Sequence, residues 1–348
     1  MNRQTVIAAL AASIILAGCS QGSVPMQSMN PLGAFQSADM LRNASEQAEL
    51  YVANPAVNTV TVYPTQRSGK YRTISQGLIQ PAALAFDASN NLYVANCGGC
   101  YDASKSSVTV YAGGKSKLSR TITDGVVSPL SIVVDSAGNL YVANTGANTV
   151  TVYAPGSSAV SRTISSGVSG PTRLALDASG NLYVSNGNNT VTVYGAGSGT
   201  ILQTITDGVK TPEVMAFDQQ GRLYVSNLPH KKEGKVQVYA PGGEALVKTI
   251  FRDIRMPYAL AFDTNNELYV ANSFGGAVTV YPAARNKVSR TISQGVDGPD
   301  ALLFDSAGEL YVSNESNNTV TVYAKGGSEP IRTISGGMSD PYALAFGP

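Results

Sequence analysis

From residue 50 to residue 348, apolar and polar positions alternate in short runs that recur in a fixed order. The unit is clearest at 129–170, PLSIVVDSAGNLYVANTGANTVTVYAPGSSAVSRTISSGVSG. Its opening proline recurs at 81, 129, 171, 212, 257, 299 and 341, with spacings of 48, 42, 41, 45, 42 and 42 residues. Within each unit an LAFD-type run predicts a strand a (84–87, 132–135, 174–177, 215–218, 260–263, 302–305). LYVAN or LYVSN predicts a strand b starting at 50, 92, 140, 182, 223, 268 and 310. A TVTVY-type alternation predicts a strand c ending at Tyr63, Tyr111, Tyr153, Tyr194, Tyr239, Tyr281 and Tyr323. An RTI-type edge, such as Arg72-Thr73-Ile74 or Arg332-Thr333-Ile334, predicts a strand d. Period-2 alternation rich in β-branched and aromatic residues is the signature of half-buried strands. Turns such as DSAGN at 135–139 supply an Asx acceptor and a glycine for positive φ. A period near 42 with four short strands per unit predicts an all-β, seven-bladed β-propeller.

The phase of the repeat predicts how the ring closes. The first unit begins at strand b, Leu50, with no strand a before it, and the last contributes only PYALAFGP. An open solenoid would leave two bare edges. Seating Ala343 to Phe346 inside strands 50–75 completes a composite blade and closes the ring.

Units of the form P-x-x-L-A-F-D-x-x-G-N-L-Y-V-A-N-x-x-x-N-T-V-T-V-Y resemble NHL-type repeats over 50–348. The chain is similar to exported NHL-like propellers of bacteria and, more distantly, to virginiamycin B lyase and the SMP-30/gluconolactonase group. Strand order places the b–c and d–a loops on one face and the a–b and c–d turns on the other. Two b–c loops are enlarged: CGGCYDASKSS at 97–107 in the second blade and LPHKKEG at 228–234 in the fifth. A rigid scaffold that presents variable loops on one face reads as a binding surface; neutral drift in tolerant turns is the bland alternative.

The residues just after each repeat proline are expected to rim the central channel on that face. The pattern of the family that the chain resembles is mostly small there, whereas this chain has Thr172, Arg173, Glu213, Tyr258, Asp300 and Tyr342. Arg173, Glu213 and Asp300 are expected from blades scattered around the ring, converging on a polar ligand or one divalent cation. The alternative is a solvent-filled mouth whose charges pair with neighbours. The Asn that ends every strand b (54, 96, 144, 186, 227, 272, 314) recurs in each blade, so it is read as a cap on the b–c loop rather than a ligand. The Asp ending each strand a is likewise read as turn-forming.

Cys97 and Cys100 form a CxxC that suits a redox pair, half a zinc site or a disulfide. Zinc lacks a second pair, with the lone histidine three blades away. A redox centre wants a helix N-terminus, whereas Cys97 follows a strand. A disulfide pinning the enlarged loop is the expectation. For enzymes, the lyase resemblance implies histidine chemistry, yet His230 stands alone beside Lys231, Lys232 and Glu233 on a loop tip. The lactonase resemblance implies acidic and Asn ligands to a metal, with Glu213 and Asp300 as weak catalytic candidates.

Residues 1–18 read as an export signal: Arg3, an apolar run from Val6 to Gly18, then Cys19. That run is too short to span a bilayer as a helix. LAGC resembles the bacterial lipobox, which implies lipidation of Cys19, and Ser20 implies an outer-membrane or cell-surface address. Several acyl chains hold a soluble domain where one would be marginal. Residues 19–49 are expected to be a tether, with 38–49 able to form about two helical turns.

Charge then narrows the partners. The chain has 24 Lys and Arg against 23 Asp and Glu; removal of 1–18 takes Arg3 and leaves 23 against 23. A neutral chain is a poor counterion displacer, so a strongly electropositive nucleic-acid binder is not expected. One histidine excludes a multi-histidine metal site, and the absence of tryptophan excludes a tryptophan-lined sugar platform. The expectation is a monomeric, membrane-anchored binding scaffold for an envelope protein, glycan or small ligand, with no obligate cofactor; the alternative is a metal-dependent hydrolase or lyase at the channel mouth.

Overall fold

A computed structural model describes residues 48–65, 70–98, 103–228 and 233–348. Seven four-stranded antiparallel sheets form the blades of a β-propeller, each ordered a-b-c-d. The a strands run longer than the apolar motif implies. They begin at the repeat proline itself, as in Pro81–Phe86, Pro129–Val134, Pro171–Leu176, Pro212–Phe217, Pro257–Phe262 and Pro299–Phe304, which open blades two to seven. The first b strand starts one residue early, at Glu49, so the described end of the expected 38–49 helix is not helical. Blade one is composite: Ala343–Gly347 pairs with Glu49–Asn54, setting Leu344 opposite Val52 and Phe346 opposite Leu50. Residues 1–18, Cys19 and the rest of the tether to 47 lie outside the described residues.

The repeated residues explain the repeat. Asp87 Oδ1 accepts from the Ser89 and Asn91 amides at 2.9 Å each, which fixes the a–b turn. Asp135, Asp177, Asp218, Asp263 and Asp305 do the same in their blades. The tyrosine ending strand c is buried and donates its hydroxyl to the carbonyl of a d–a turn: Tyr111 to Gln76, Tyr153 to Asp124, Tyr194 to Ser166, Tyr239 to Asp207, Tyr323 to Gln294. The strand-b tyrosine packs edge-on against the phenylalanine ending strand a of the next blade, with centroids 4.8 to 5.1 Å apart at five junctions. Offset aromatic pairs of this kind add to simple burial.

The strand-b asparagines behave differently from the expectation. None of the described 3-10 turns that follow Asn54, Asn144 or Asn272 has a side-chain cap. Instead six of the seven asparagine amides reach the paired strand c, as Asn54 does to Thr61 at 2.9 Å, and that of Asn227 reaches the Gly208 carbonyl, while in all seven the Oδ1 accepts a backbone amide from the incoming d–a loop. Ile79, Val127, Ser169, Lys210, Arg255 and Asp297 are the donors to the other six. The residue stitches one blade to the chain arriving from its neighbour, because its buried carbonyl would otherwise be left unsatisfied.

Candidate functional site

The local geometry at the repeat proline decides which side chain enters the channel. The residue before every repeat proline (Gln80, Ser128, Gly170, Thr211, Met256, Gly298, Asp340) has φ between 45° and 60°. Only two of the seven are glycine, so the left-handed turn needs outside support. In four blades that support is an asparagine of the preceding b–c loop: Asn58, Asn148, Asn189 and Asn318 accept the amides of Gln80, Gly170, Thr211 and Asp340 at 2.6 to 2.7 Å. The a–b register then shifts just after the proline in blades two to seven. A bulge leaves one residue out of the ladder and re-aims its side chain. The extra residues are Ala82, Leu130, Thr172, Glu213, Tyr258 and Asp300, with Tyr342 at the matching place in blade one.

A second position varies with the bulge. LYVSN replaces LYVAN in blades four, five and seven, the three whose a strand opens with Thr172-Arg173, Glu213 or Asp300. Ser226 Oγ accepts the Val214 amide at 3.0 Å, and Ser313 Oγ accepts the Ala301 amide at 2.8 Å. Ser185 Oγ meets Thr172 Oγ1 at 2.8 Å and donates to the Pro212 carbonyl of the next blade. These hydroxyls satisfy polar groups beside the bulge in a setting where an orphan would be costly.

The expected residues do come together, in a different arrangement from the one anticipated. Thr172 and Arg173, Glu213, Tyr258, Asp300 and Tyr342 belong to five consecutive blades, four to seven and one, rather than to blades scattered around the ring. They also do not form an open rim. Asp300, Tyr342, Arg173 and Tyr258 are 0, 1, 3 and 4 % exposed, and only Thr172 and Glu213 are half-buried. Arg173 Nη1 donates to the Thr172 carbonyl at 2.9 Å, and Nη2 approaches the Tyr342 hydroxyl at 3.5 Å, joining blade four to blade one across the channel.

Two members were not anticipated. Glu315, first in the b–c loop of blade seven, and Asp340, before the last repeat proline, stand beside Asp300 and are half-buried. Both were visible in the repeat: Glu315 is the one charged residue directly after a strand-b asparagine, and Asp340 the one charged residue directly before a repeat proline. Four carboxyls therefore share one mouth with a single guanidinium. Burial pushes Glu213 up to about 7 against the pull of Arg173. Burial and Asp340 push Glu315 up to about 7. Burial, then Glu315 and Asp340, hold Asp300 well above the carboxylate range, and burial raises Asp340. Neighbouring carboxyls with too little solvent keep protons between them.

No group of three or more His, Cys, Asp or Glu among the described residues is arranged to hold a metal ion. The residues at the mouth therefore do not fit the divalent cation that the lactonase resemblance implies. Cys97 is buried and disulfide-bonded, while Cys100 and His230 lie outside the described residues. Among the described residues, no helix is long and apolar enough to cross a membrane.

No protein-family profile and no curated protein matches the chain. Solved structures do. A candidate 6-phosphogluconolactonase from Bacteroides fragilis superimposes with a TM-score of 0.70 at 14 % identity, covering 87 % of this chain and 99 % of its own. One from Bacteroides uniformis gives 0.71 at 12 %, covering 87 % and 100 %. A functionally unknown protein from Desulfotomaculum acetoxidans gives 0.67 at 12 %, covering 86 % and 98 %. At these identities the likeness is one of fold.

Proposed function

We propose that the chain is a binding scaffold of the bacterial cell envelope, held on the membrane through lipidated Cys19, that takes its partner or ligand on the b–c and d–a face. One observation carries the reading. On that face five consecutive blades place polar or aromatic side chains at the position after the repeat proline where blades two and three carry Ala82 and Leu130, with Glu315 and Asp340 beside Asp300. Structural repeats need no such departure, and a binding site requires one. The enlarged loops 97–107 and 228–234 follow b strands that end on the same face. The second reading is a metal-dependent hydrolase or lyase with its site at the channel mouth; among the described residues no group of three or more His, Cys, Asp or Glu is arranged to hold its metal.

The test is affinity capture from detergent-solubilised envelopes with the full chain as bait. It is run beside a chain in which 97–107 and 228–234 are each cut to a short turn, and beside Cys19→Ser. A partner held by the full chain and lost on trimming supports the scaffold, as does movement of Cys19→Ser from the detergent phase to the aqueous phase on partitioning. Identical retained material from full and trimmed baits, or a Cys19→Ser protein that stays with the detergent, overturns the corresponding half of the proposal.

A further inference from the structure

The seam between blades five and six departs from the repeat in three places at once. Six of the seven d–a turns carry a left-handed glycine three residues after the isoleucine that ends strand d: Gly77, Gly125, Gly167, Gly208, Gly295 and Gly337. After Ile250 the turn reads Phe251-Arg252-Asp253 and sets Asp253 there at φ 54°. The c–d turn of blade six likewise sets Ala284 at φ 51°, where blades two to five and seven turn on Gly114, Gly156, Gly197, Gly242 and Gly326. Strand d of blade five has Lys248 where five blades have an arginine that the fold engages. Arg72, Arg120, Arg290 and Arg332 lie over the strand-b tyrosine of their own blade, and Arg162 donates to the Gly197 carbonyl. In blade five the strand-b tyrosine, Tyr224, instead accepts the Ala284 amide at 3.0 Å.

These changes meet in one exposed region. Asn286 Oδ1 accepts the Phe251 and Arg252 amides at 3.0 and 3.1 Å, the Gly234 amide donates to the Ile254 carbonyl at 3.0 Å, and the Ser273 amide donates to the Met256 carbonyl at 3.2 Å. Two clefts share Asp253: one of about 500 Å3 lined by Arg252, Asn286 and Lys287, and one of about 440 Å3 lined by Glu233, Lys235, Phe251 and Arg255. Phe251 is 54 % exposed, and Phe274, in the b–c loop of blade six, is 47 % exposed. Lys235, Lys248, Arg252, Arg255, Arg285 and Lys287 are all exposed, and among the described residues none has an ion-pair partner. In a chain with 24 basic and 23 acidic residues, these cations stand against only Asp253 and Glu233 in the clefts.

Resting on the reading of Cys19 as a lipid anchor, we propose that this seam is the face that docks on the bilayer, with Phe251 and Phe274 entering the headgroup layer and the cations meeting the phosphates of anionic phospholipids. Exposed aromatic rings among unpaired cations are what an anionic bilayer surface takes up, the rings into the interface and Lys or Arg onto phosphate. A soluble polyanion would use the cations and leave both phenylalanines in water. The anchor supplies the proximity. Cys19 and Glu49 are about 30 residues apart, a reach of at most about 100 Å, so an acylated Cys19 keeps the ring at the surface and a weak patch suffices to orient it.

The experiment is vesicle co-sedimentation of the mature chain, residues 19–348, carrying Cys19→Ser so that no acyl chain contributes. Vesicles of phosphatidylethanolamine with about 30 % phosphatidylglycerol are set beside vesicles of phosphatidylcholine, in about 0.1 M and about 0.5 M salt. The expected result is binding to the anionic vesicles at least about tenfold tighter than to phosphatidylcholine, and weaker at the higher salt. Each cation near an anionic surface is worth about fivefold, so Arg252→Gln with Lys287→Gln should lower binding about tenfold or more. Phe251→Ser should lower it a few-fold at both salt concentrations. Lys115→Gln with Lys117→Gln removes the same charge from the exposed c–d turn of blade two and should change binding less than about twofold. Thermal melts verify that each variant is folded. Equal binding to the two vesicle types, equal loss in the two double variants, or no sedimentation with anionic vesicles up to about 1 mM lipid would each overturn the inference. Retention on immobilised dextran sulfate without vesicle binding would overturn it too and reassign the seam to a soluble polyanion. Detergent partitioning of the lipidated chain decides Cys19 by itself, so a failed vesicle result leaves the anchor and the scaffold reading standing.

Discussion

Leu344 sits in the strand that closes the ring, and replacing it separates the clasp from ordinary core packing. It is buried against Leu50, Val52, Leu303 and Tyr311. Leu302 occupies the same repeat position in blade seven and is equally buried. Either leucine cut to alanine costs about 2–5 kcal/mol from lost burial and the cavity left behind. At roughly 2–3 °C per kcal/mol for a domain of this size, both variants melt roughly 5–15 °C low. Their local effects differ. Pro299–Phe304 is covalently continuous with its own blade, whereas Ala343–Gly347 joins blade one through strand pairing alone. Leu344→Ala therefore lowers the free energy of opening this one seam. Hydrogen exchange followed by mass spectrometry should show amides in 49–54 and 343–347 exchanging roughly thirtyfold faster or more, at 1.4 kcal/mol per factor of ten. Leu302→Ala should leave those segments protected to within its global loss of stability. Equal loss of protection in 49–54 for the two variants would refute the argument that the clasp is the weak point of the ring.

Ser313→Ala strips the Ala301 amide of its acceptor and should cost about 1–3 kcal/mol in urea melts, with Ser226→Ala behaving alike at the Val214 amide. Tyr323→Phe removes the donor to the Gln294 carbonyl at 2.6 Å and should cost about 0.5–1.5 kcal/mol in the same assay. The folded-state values of Glu213 and Glu315 are raised, so the native state binds more protons than the unfolded chain between the ordinary carboxylate range and about 7. Their contribution is present in full at the acid end of that window and is lost as pH rises to about 7, so the melting temperature should fall from pH 5 to pH 8. Glu213→Gln should flatten that slope; a slope identical to that of the native protein would show that Glu213 does not titrate in the window.

The blades were legible because each strand type recurs with the same residues at the same spacing, so every apolar run was checked against the others. The closing strand was legible for the same reason: PYALAF can be nothing but a strand a. The channel was read only in part. Sequence order picked out the residues after the prolines, yet it did not reveal that a left-handed residue precedes each proline and that a bulge follows it in blades two to seven. That conformation carries no glycine signature at Gln80, Ser128, Thr211, Met256 or Asp340, and in four of these five the amide is held by a neighbouring side chain, Asn58, Ser106, Asn189 or Asn318. Burial was missed because Tyr258, Tyr342 and Arg173 were read as a rim, whereas all three side chains are nearly fully covered. Glu315 and Asp340 escaped notice because they lie in loops, where a charged residue is ordinarily unremarked. The strand-b asparagines were rightly set aside as structural and wrongly assigned to the loop they precede, since their true partner arrives from another blade.

The bulge in blades two to seven, with Tyr342 at the matching place in blade one, makes the ring a row of seven slots. Reading around it gives Ala82, Leu130, Thr172, Glu213, Tyr258, Asp300 and Tyr342. None of these side chains belongs to the blade's own ladder, so a slot changes its content without disturbing the sheet that carries it. The adjustment that accompanies a polar occupant is confined to one more residue, serine for alanine in the strand beside it. Duplicated blades of nearly identical sequence thus diverge in what they recognise through one or two codons each, while the architecture they build stays constant.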